Sequence, residues 1–208
     1  MILVDSPVAN VANIARALRT TGAELVVTRD PEVIAGARKI VLPGVGSFVA
    51  AMRWLTDTRI DVALRTAVER GAALLGICVG HQVLFEASHE MGFTRGLGLI
   101  EGEVRRFEGT LPVPQIGWNR VSVGQVLLPV GIGGSACPPL FDGIPSGTSF
   151  YFVNSYAASG AANEIARADY DGPFTAAVQR GSVFGVQFHP EKSSTAGLRV
   201  LRNFVAWK

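Results

Sequence analysis

The 208-residue sequence has few charged residues, and the two signs of charge nearly balance. Charged side chains make up 17% of the chain, against roughly 25% in an average globular protein, and no run of like charges occurs. We therefore expect no electrostatic surface for nucleic acid or for an anionic membrane. Because apolar residues make up 48% of the chain, we predict an ordered globular fold rather than a disordered segment.

Cysteine is scarce, and long apolar runs are missing. The two cysteines, Cys78 and Cys137, are too few for a disulfide framework and have the wrong spacing for a structural zinc site, so we expect a reduced, cytoplasmic setting. No stretch reaches the roughly 18 uncharged apolar residues of a membrane span, and the N-terminus lacks the pattern of a secretory signal. These absences predict a soluble protein, and the length predicts one domain over residues 1–208.

The first 80 residues alternate short β-rich runs with longer helical patterns, which is typical of βαβ units and a parallel sheet. The fourth β-rich run is apolar throughout, so we expect it in the middle of the sheet, covered on both faces. Strands are predicted at residues 1–4, 24–28, 38–42 and 72–77, with helices after Asn10 and over residues 60–68.

From residue 97 to residue 187, shorter β-rich runs are separated by Gly, Pro and Ser, which predicts an antiparallel extension of the sheet. Residues 121–139 are rich in Gly and Pro and are predicted to form a loop or loose hairpin. A strand over residues 182–189 and a helix over residues 195–207 close the chain. The predicted fold class is therefore α/β, with three layers and a mostly parallel central sheet flanked by helices.

A possible nucleophile lies at the end of the fourth predicted strand. Residues 73–85 read ALLGICVGHQVLF, an apolar strand that passes through Gly76-x-Cys78-x-Gly80 into a helix. The pattern resembles the nucleophile elbow of hydrolases, in which glycines permit a sharp turn and the nucleophile lies at a helix N-terminus that favours thiolate. We expect the backbone N–H of Val79 to donate to an oxyanion. A buried structural cysteine is the alternative.

A candidate base follows the last predicted strand, in the segment FHPE at residues 188–191. If the chain stays extended through Pro190, His189 and Glu191 point to the same side, and the carboxylate can orient the imidazole. A lone histidine at a strand end is usually structural, but a cysteine elbow together with a histidine and a carboxylate favours nucleophilic catalysis. We predict no metal, because no second histidine stands at zinc-ligand spacing.

A second glycine-containing turn, PGVG at residues 43–46, follows the third predicted strand. A dinucleotide-binding loop is disfavoured because Val49 occupies the place of the third glycine. We expect instead that a backbone N–H of this turn points to the same position as Val79 and completes an oxyanion hole. A plain tight turn is the alternative.

Five segments of the sequence, taken in order, resemble the class I (triad) glutamine amidotransferases. They are LPGVGSF at 42–48, GICVGHQ at 76–82, GWN at 117–119, YFVNSY at 151–156 and QFHPEKS at 187–193. The elbow and the His-Pro-Glu segment are shared by the whole class, whereas PGVG, GWN and HPEKS narrow the resemblance to the glutaminase subunits of imidazole glycerol phosphate synthases. The resemblance spans nearly the whole chain and implies no cofactor.

The resemblance implies a site that hydrolyses the side-chain amide of glutamine. Cys78 would attack the amide, His189 would transfer protons and Glu191 would orient the imidazole. The implied oxyanion donors are the backbone N–H groups of Val79 and of Val45 or Gly46, and the implied glutamine-binding residues are Gln82, Ser155 and Tyr156.

The same resemblance implies a heterodimer with a (β/α)₈ cyclase subunit, which uses the ammonia to make imidazole glycerol phosphate and an aminoimidazole carboxamide ribotide in histidine biosynthesis. Asn13, Trp118 and Lys192 would lie at the interface. The sequence departs from the family pattern in the loop DSPVAN at 5–10, which lacks a tyrosine and two glycines, and at Gln115 and Asn154, which replace histidines. Two alternatives stay open: a related amidotransferase that serves another synthase, and a catalytically silent regulatory subunit.

Overall fold

The computed structural model describes residues 1–7, 9–124 and 138–207 of the protein. In this part of the chain, no helix is long and apolar enough to cross a membrane. Asn10 caps the first helix, because its side-chain oxygen accepts a hydrogen bond from the backbone N–H of Asn13 at 3.3 Å. The helices are α1 (Val11–Thr20), α2 (Pro31–Ala35), α3 (Phe48–Asp57), α4 (Ile60–Glu69), α5 (Val79–Gln82) and α6 (Ser194–Ala206).

The strands form one large mixed sheet and one small sheet. They are β1 (Ile2–Val4), β2 (Val26–Thr28), β3 (Lys39–Gly44), β4 (Ala73–Cys78), β5 (Ala87–Ser88), β6 (Thr94–Arg95), β7 (Glu103–Arg106), β8 (Gln115–Val123), β9 (Thr148–Asn154), β10 (Tyr156–Ala158), β11 (Glu164–Asp169), β12 (Pro173–Arg180) and β13 (Val183–Val186). The large sheet has the order β2-β1-β3-β4-β13-β12-β11-β8-β9, and the small sheet has the order β10-β7-β5-β6.

The large sheet is parallel from β2 to β13 and antiparallel from β13 to β9. This arrangement confirms the predicted parallel sheet with an antiparallel extension. All six residues of β4 are buried, as expected for an apolar strand inside a sheet that is covered on both faces. Since β3 and β13 flank β4 in parallel, the carboxyl ends of these three strands meet at one edge of the sheet.

A cluster of buried phenylalanines joins the antiparallel strands to the carboxyl end of β13. The ring of Phe188 stacks on that of Phe150, with 4.1 Å between centroids, and meets the edges of Phe152 and Phe141. Truncating a buried phenylalanine to alanine typically costs about 3–5 kcal/mol of stability. The cluster therefore fixes the backbone immediately before His189.

One predicted loop is partly wrong. Residues 121–123 complete the nine-residue strand β8, because the alternating sequence Val121-Ser-Val123 continues the pairing with both neighbouring strands. Residues 125–137 of the predicted loop, including Cys137, lie outside the described residues. The chain continues at Pro138 into a 3₁₀ turn at Pro139–Phe141.

Candidate active site

Cys78 lies at the turn between β4 and α5, with φ 56° and ψ −112°, a backbone conformation that L-residues rarely adopt. A Cβ atom on Gly76 would collide with the carbonyl of Gly80, and one on Gly80 would collide with the carbonyl of Leu42. Backbone contacts therefore require both glycines, and the expected elbow is present. Its helix is only a single turn, so the helix dipole is weaker than the sequence suggested, and the sulfur needs another source of stabilisation.

His189 and Glu191 form a buried pair. His189 Nδ1 lies 2.9 Å from Glu191 Oε1, and their side chains are 6% and 1% exposed. The pairing was expected, but its assumed cause was wrong, because the chain turns into a 3₁₀ helix at Pro190–Lys192 instead of staying extended. Ser193 holds this turn: its hydroxyl donates to the carbonyl of His189 at 2.6 Å and accepts from the N–H of Tyr151 at 2.9 Å.

The charge of His189 is set by its two partners. Burial by itself would lower the pKa of His189, because the imidazolium loses its water. The hydrogen bonds to Cys78 and Glu191, together with the negative charges of these groups, outweigh burial and raise the pKa to about 10. At neutral pH both ring nitrogens therefore carry protons. An imidazolium between a sulfur and a carboxylate stabilises the thiolate, which is the reactive form of cysteine.

Cys78 and His189 line a cavity of about 310 Å³ at the carboxyl edge of the parallel strands. This volume lies at the lower end of the range for small-molecule pockets. All the residues that the sequence assigned to the oxyanion hole and to the glutamine pocket line it as well: Val45, Gly46, Val79, Gln82, Ser155 and Tyr156. Among the described residues, no group of three or more His, Cys, Asp or Glu side chains is placed to hold a metal ion.

The hydrogen bonds of Gln82 define how it can bind a ligand. Its Nε2 donates to the carbonyl of Tyr156 at 2.8 Å and to Oε1 of Gln187 at 3.0 Å. An amide nitrogen carries two hydrogens, so both are used within the protein. Gln82 can therefore bind a ligand as an acceptor, through its Oε1 atom.

Glu90, which is not among the site residues expected from the sequence, also lines the cavity. Its Oε2 accepts a hydrogen bond at 2.6 Å from the N–H of Phe48, the first residue of α3. The carboxylate is thus held beside the turn that contains Val45 and Gly46. No sequence pattern distinguishes Glu90, because it lies in an irregular turn after β5 and reaches the cavity only through the tertiary fold.

Two of the three expected interface residues pack against the ring of Tyr151, and one of them, Lys192, lines the cavity. Trp118 is 56% exposed, and its ring packs edge-on against that of Tyr151, with 6.1 Å between centroids. Lys192 Nζ lies 5.6 Å from the centroid of the same tyrosine ring. Asn13 lies instead in the first turn of α1, where its backbone N–H is bonded to Asn10.

The two substituted histidine positions lie opposite each other. Gln115 and Asn154 are direct partners in the β8–β9 ladder, and both side chains are buried. Asn154 Nδ2 donates to the carbonyl of Tyr156 at 3.1 Å. Among the described residues, the side-chain oxygens of Gln115 and Asn154 have no hydrogen-bond partner. These two departures from the family pattern are therefore neighbours, and Asn154 lines the cavity.

A cysteine elbow on one parallel strand and a buried histidine–carboxylate pair after its neighbour define an amidotransferase-like site. The family model described as glutamine amidotransferase class-I matches residues 2–207. The chain therefore belongs to the class-I glutamine amidotransferase family.

Within that family, curated relatives give a narrower likeness. The chain is 42% identical over 204 residues to the imidazole glycerol phosphate synthase subunit HisH of Moorella thermoacetica, covering 97% of this chain and 92% of that protein. It is 45% identical over 198 residues to the protein of the same name from Herpetosiphon aurantiacus, covering 94% and 89%.

Solved structures share the fold at much lower identity. A crystal structure of a glutamine amidotransferase superposes with a TM-score of 0.71 at 22% identity, covering 98% of this chain and 96% of that one. The glutaminase domain of Trypanosoma brucei CTPS with bound acivicin superposes with a TM-score of 0.67 at 13% identity, covering 99% and 91%. The predicted architecture of a class I amidotransferase is confirmed.

Proposed function

We propose that this chain is the glutaminase subunit of an imidazole glycerol phosphate synthase. It hydrolyses glutamine to glutamate and ammonia, and the ammonia serves a cyclase subunit in histidine biosynthesis. The observation that carries the proposal is the buried array of Cys78, His189 and Glu191, with a protonated imidazole between sulfur and carboxylate. The relatives named imidazole glycerol phosphate synthase subunit HisH, at 42% and 45% identity, support the pathway.

The cavity offers complementary groups for each part of glutamine. The side-chain carbonyl oxygen binds at the backbone N–H groups of Val79 and of Val45 or Gly46, where the oxyanion will form. Glu90 is the carboxylate that faces the cavity, so it attracts the α-ammonium group. Gln82 accepts a hydrogen bond from the ligand through Oε1. Ser155 and Tyr156 complete the wall.

Hydrolysis proceeds through a thioester. The Cys78 thiolate attacks the amide carbon, and the tetrahedral oxyanion is held by the backbone donors. As the oxyanion collapses, the carbon–nitrogen bond breaks and His189 gives its proton to the leaving nitrogen, which departs as ammonia. Neutral His189 then takes a proton from water, the hydroxide attacks the thioester, and glutamate leaves as the thiolate and imidazolium are restored. Glu191 orients the imidazole in both steps.

We further propose that the cyclase partner, a (β/α)₈ barrel, forms a heterodimer with this chain over the cavity mouth. Lys192 lines the cavity, and Trp118, an exposed aromatic residue of the kind enriched at protein interfaces, packs on the same tyrosine as Lys192. Asn13, in the first turn of α1, is a further proposed interface residue. The reaction would take place in the cytoplasm, where Cys78 stays reduced, and residues 1–208 would act as one domain.

The test is glutamate release from glutamine by the purified chain, alone and with a purified histidine-pathway cyclase and its ribulosyl ligand. We expect strong stimulation when both are added. A hydrolysis rate that the cyclase does not change would support the glutaminase activity but contradict the assignment to histidine biosynthesis. It would favour a related amidotransferase that serves another synthase. No hydrolysis under either condition would favour a catalytically silent regulatory subunit.

A further inference from the structure

Gln187 lies beside Cys78 and has no role in the steps described above. It directly follows β13, whose last residue, Val186, pairs in parallel with Ile77. The next residue on each strand is therefore Gln187 on one side and Cys78 on the other. Gln187 is completely buried, and its backbone N–H donates to the carbonyl of Ala176 at 2.9 Å. The sheet thus fixes the backbone of Gln187 next to the nucleophile.

The side chain of Gln187 joins Cys78 to Gln82. Gln187 Oε1 accepts the hydrogen bond from Gln82 at 3.0 Å, and Gln187 Nε2 lies 4.0 Å from Cys78 Sγ as a donor. The first bond fixes the orientation of the amide, because the atom that accepts from Gln82 must be the oxygen. The NH₂ group is therefore directed to the sulfur.

We propose that Gln187 is a positioning residue for the nucleophile: its amide N–H donates to the Cys78 thiolate, and its amide oxygen holds Gln82 in the orientation that accepts from the substrate. A thiolate is a better acceptor than a thiol, so this bond favours the ionised sulfur. This proposal depends on the proposed function in one respect, namely that Cys78 is the nucleophile.

Other charged and titratable groups surround the sulfur and act on it in both parent and variant. The titratable groups that line the cavity are Glu90, Tyr156, His189 and Lys192. In addition, Glu191 is hydrogen-bonded to His189, and His81 lies on the helix that follows Cys78. A comparison in which only residue 187 changes therefore isolates the effect of the Gln187 amide on the sulfur.

The experiment measures the rate of Cys78 alkylation by iodoacetamide as a function of pH, which reports the ionised sulfur. In Gln187→Met, which keeps the approximate size but removes the donor, we expect the midpoint of the profile to rise by roughly 0.5 to 1 pH unit. In Gln187→Glu, which keeps the acceptor for Gln82 but places a carboxylate beside the sulfur, the midpoint should rise further. We expect kcat for glutamine hydrolysis to fall about tenfold to a hundredfold in both variants.

Gln179→Met is the matched control, since Gln179 lies on β12 and its amide donates to the carbonyl of Gly181, away from the cavity. Its profile should coincide with that of the parent. A Gln187→Met midpoint that matches the parent would overturn the proposal, even if kcat fell. If Gln187→Met does not fold, Gln187→Leu, which also removes the donor without adding charge, takes its place. Because alkylation needs no glutamine, a parent that releases no glutamate would reject the proposed function and leave this test intact.

Discussion

Two buried histidines near Cys78 have different protonation states. His81, on the elbow helix α5, is fully buried, and its ring nitrogens have no hydrogen-bond partner among the described residues. Burial lowers the pKa of His81 to about 3. His189, after β13, is almost as buried, yet its pKa is raised to about 10. Burial alone removes the charge of a histidine, whereas the bonds and charges of Cys78 and Glu191 restore it.

The two histidines should therefore affect stability in opposite pH ranges. A histidine whose folded pKa is lowered costs stability as pH falls from about 6.5 towards 3, because the unfolded chain takes up the proton. A histidine whose folded pKa is raised contributes stability that is complete below about 6.5 and is lost as pH rises towards 10. The elbow region is thus sensitive to acid through His81, and the end of β13 is sensitive to alkali through His189.

The largest expected effect comes from Cys78→Ala, which removes both the proposed nucleophile and one partner of His189. We expect glutamine-dependent glutamate release to fall by a factor of about 10⁴ or more. Synthesis by the cyclase partner with added ammonia should be unchanged, because ammonia bypasses the glutaminase. The pKa of His189, followed by NMR of the imidazole, should also fall. Loss of the ammonia-dependent reaction would contradict the proposed division of labour.

A smaller effect is expected from Glu191→Gln, which keeps a hydrogen-bond acceptor but removes the charge. We expect kcat to fall about a hundredfold, less than for Cys78→Ala, because the amide oxygen can still orient the imidazole. The pKa of His189 should fall, since one of its anionic partners is gone. A matched control is Glu103→Gln, which alters the exposed pair of Glu103 and His89 at 2.8 Å and should leave kcat unchanged. An unaltered pKa of His189 in Glu191→Gln would show that Cys78 alone sets its charge.

The decline of activity at alkaline pH tests the charge of His189 without a substitution. Because the leaving nitrogen takes its proton from the His189 imidazolium, we expect kcat/KM to fall about tenfold per pH unit once pH exceeds the His189 pKa of about 10. The free energy of unfolding should decline from about pH 6.5 towards 10 through the same proton. Profiles are measured by glutamate release and by denaturant titration. A decline centred near pH 6.5 would mean that His189 is neutral in the resting site.

Much of this site follows from the sequence because its residues come from short local patterns. The glycines around Cys78 predict the elbow, and the structure shows why: a side chain at either position would collide with the backbone. The closeness of Cys78 and His189 follows from β4 and β13 being parallel neighbours; local patterns predicted both strands but not their pairing. The contact between Glu191 and His189 was expected from an assumed extended chain, although a 3₁₀ turn and the hydrogen bond from Ser193 bring the two side chains together.

Other parts of the site depend on contacts between distant segments, which local patterns do not reveal. Glu90 reaches the cavity from an irregular turn and is held by a backbone N–H of α3. The use of both amide hydrogens of Gln82 depends on Tyr156 and Gln187, which lie far from it in the chain. Likewise, the neutral state of His81 and the positive charge of His189 depend on their tertiary surroundings rather than on the residue type.

The smallest effect on activity is expected from His81→Met, which tests the neutral member of the histidine pair. His81 packs edge-on against Phe85 at 5.1 Å between centroids and adjoins Gly185, so an apolar side chain of similar volume fits the site with little cavity or strain. Replacing a buried polar group that lacks partners costs little, and we expect glutamate release within about twofold of the parent. At pH 5 the variant should be more stable than the parent by about 2 kcal/mol, because the unfolded chain no longer gains a proton at this position. Denaturant titrations at pH 5 and pH 8 measure the difference. An equal stability of the two proteins at pH 5 would mean that His81 takes up a proton in the folded state and that burial does not hold it neutral.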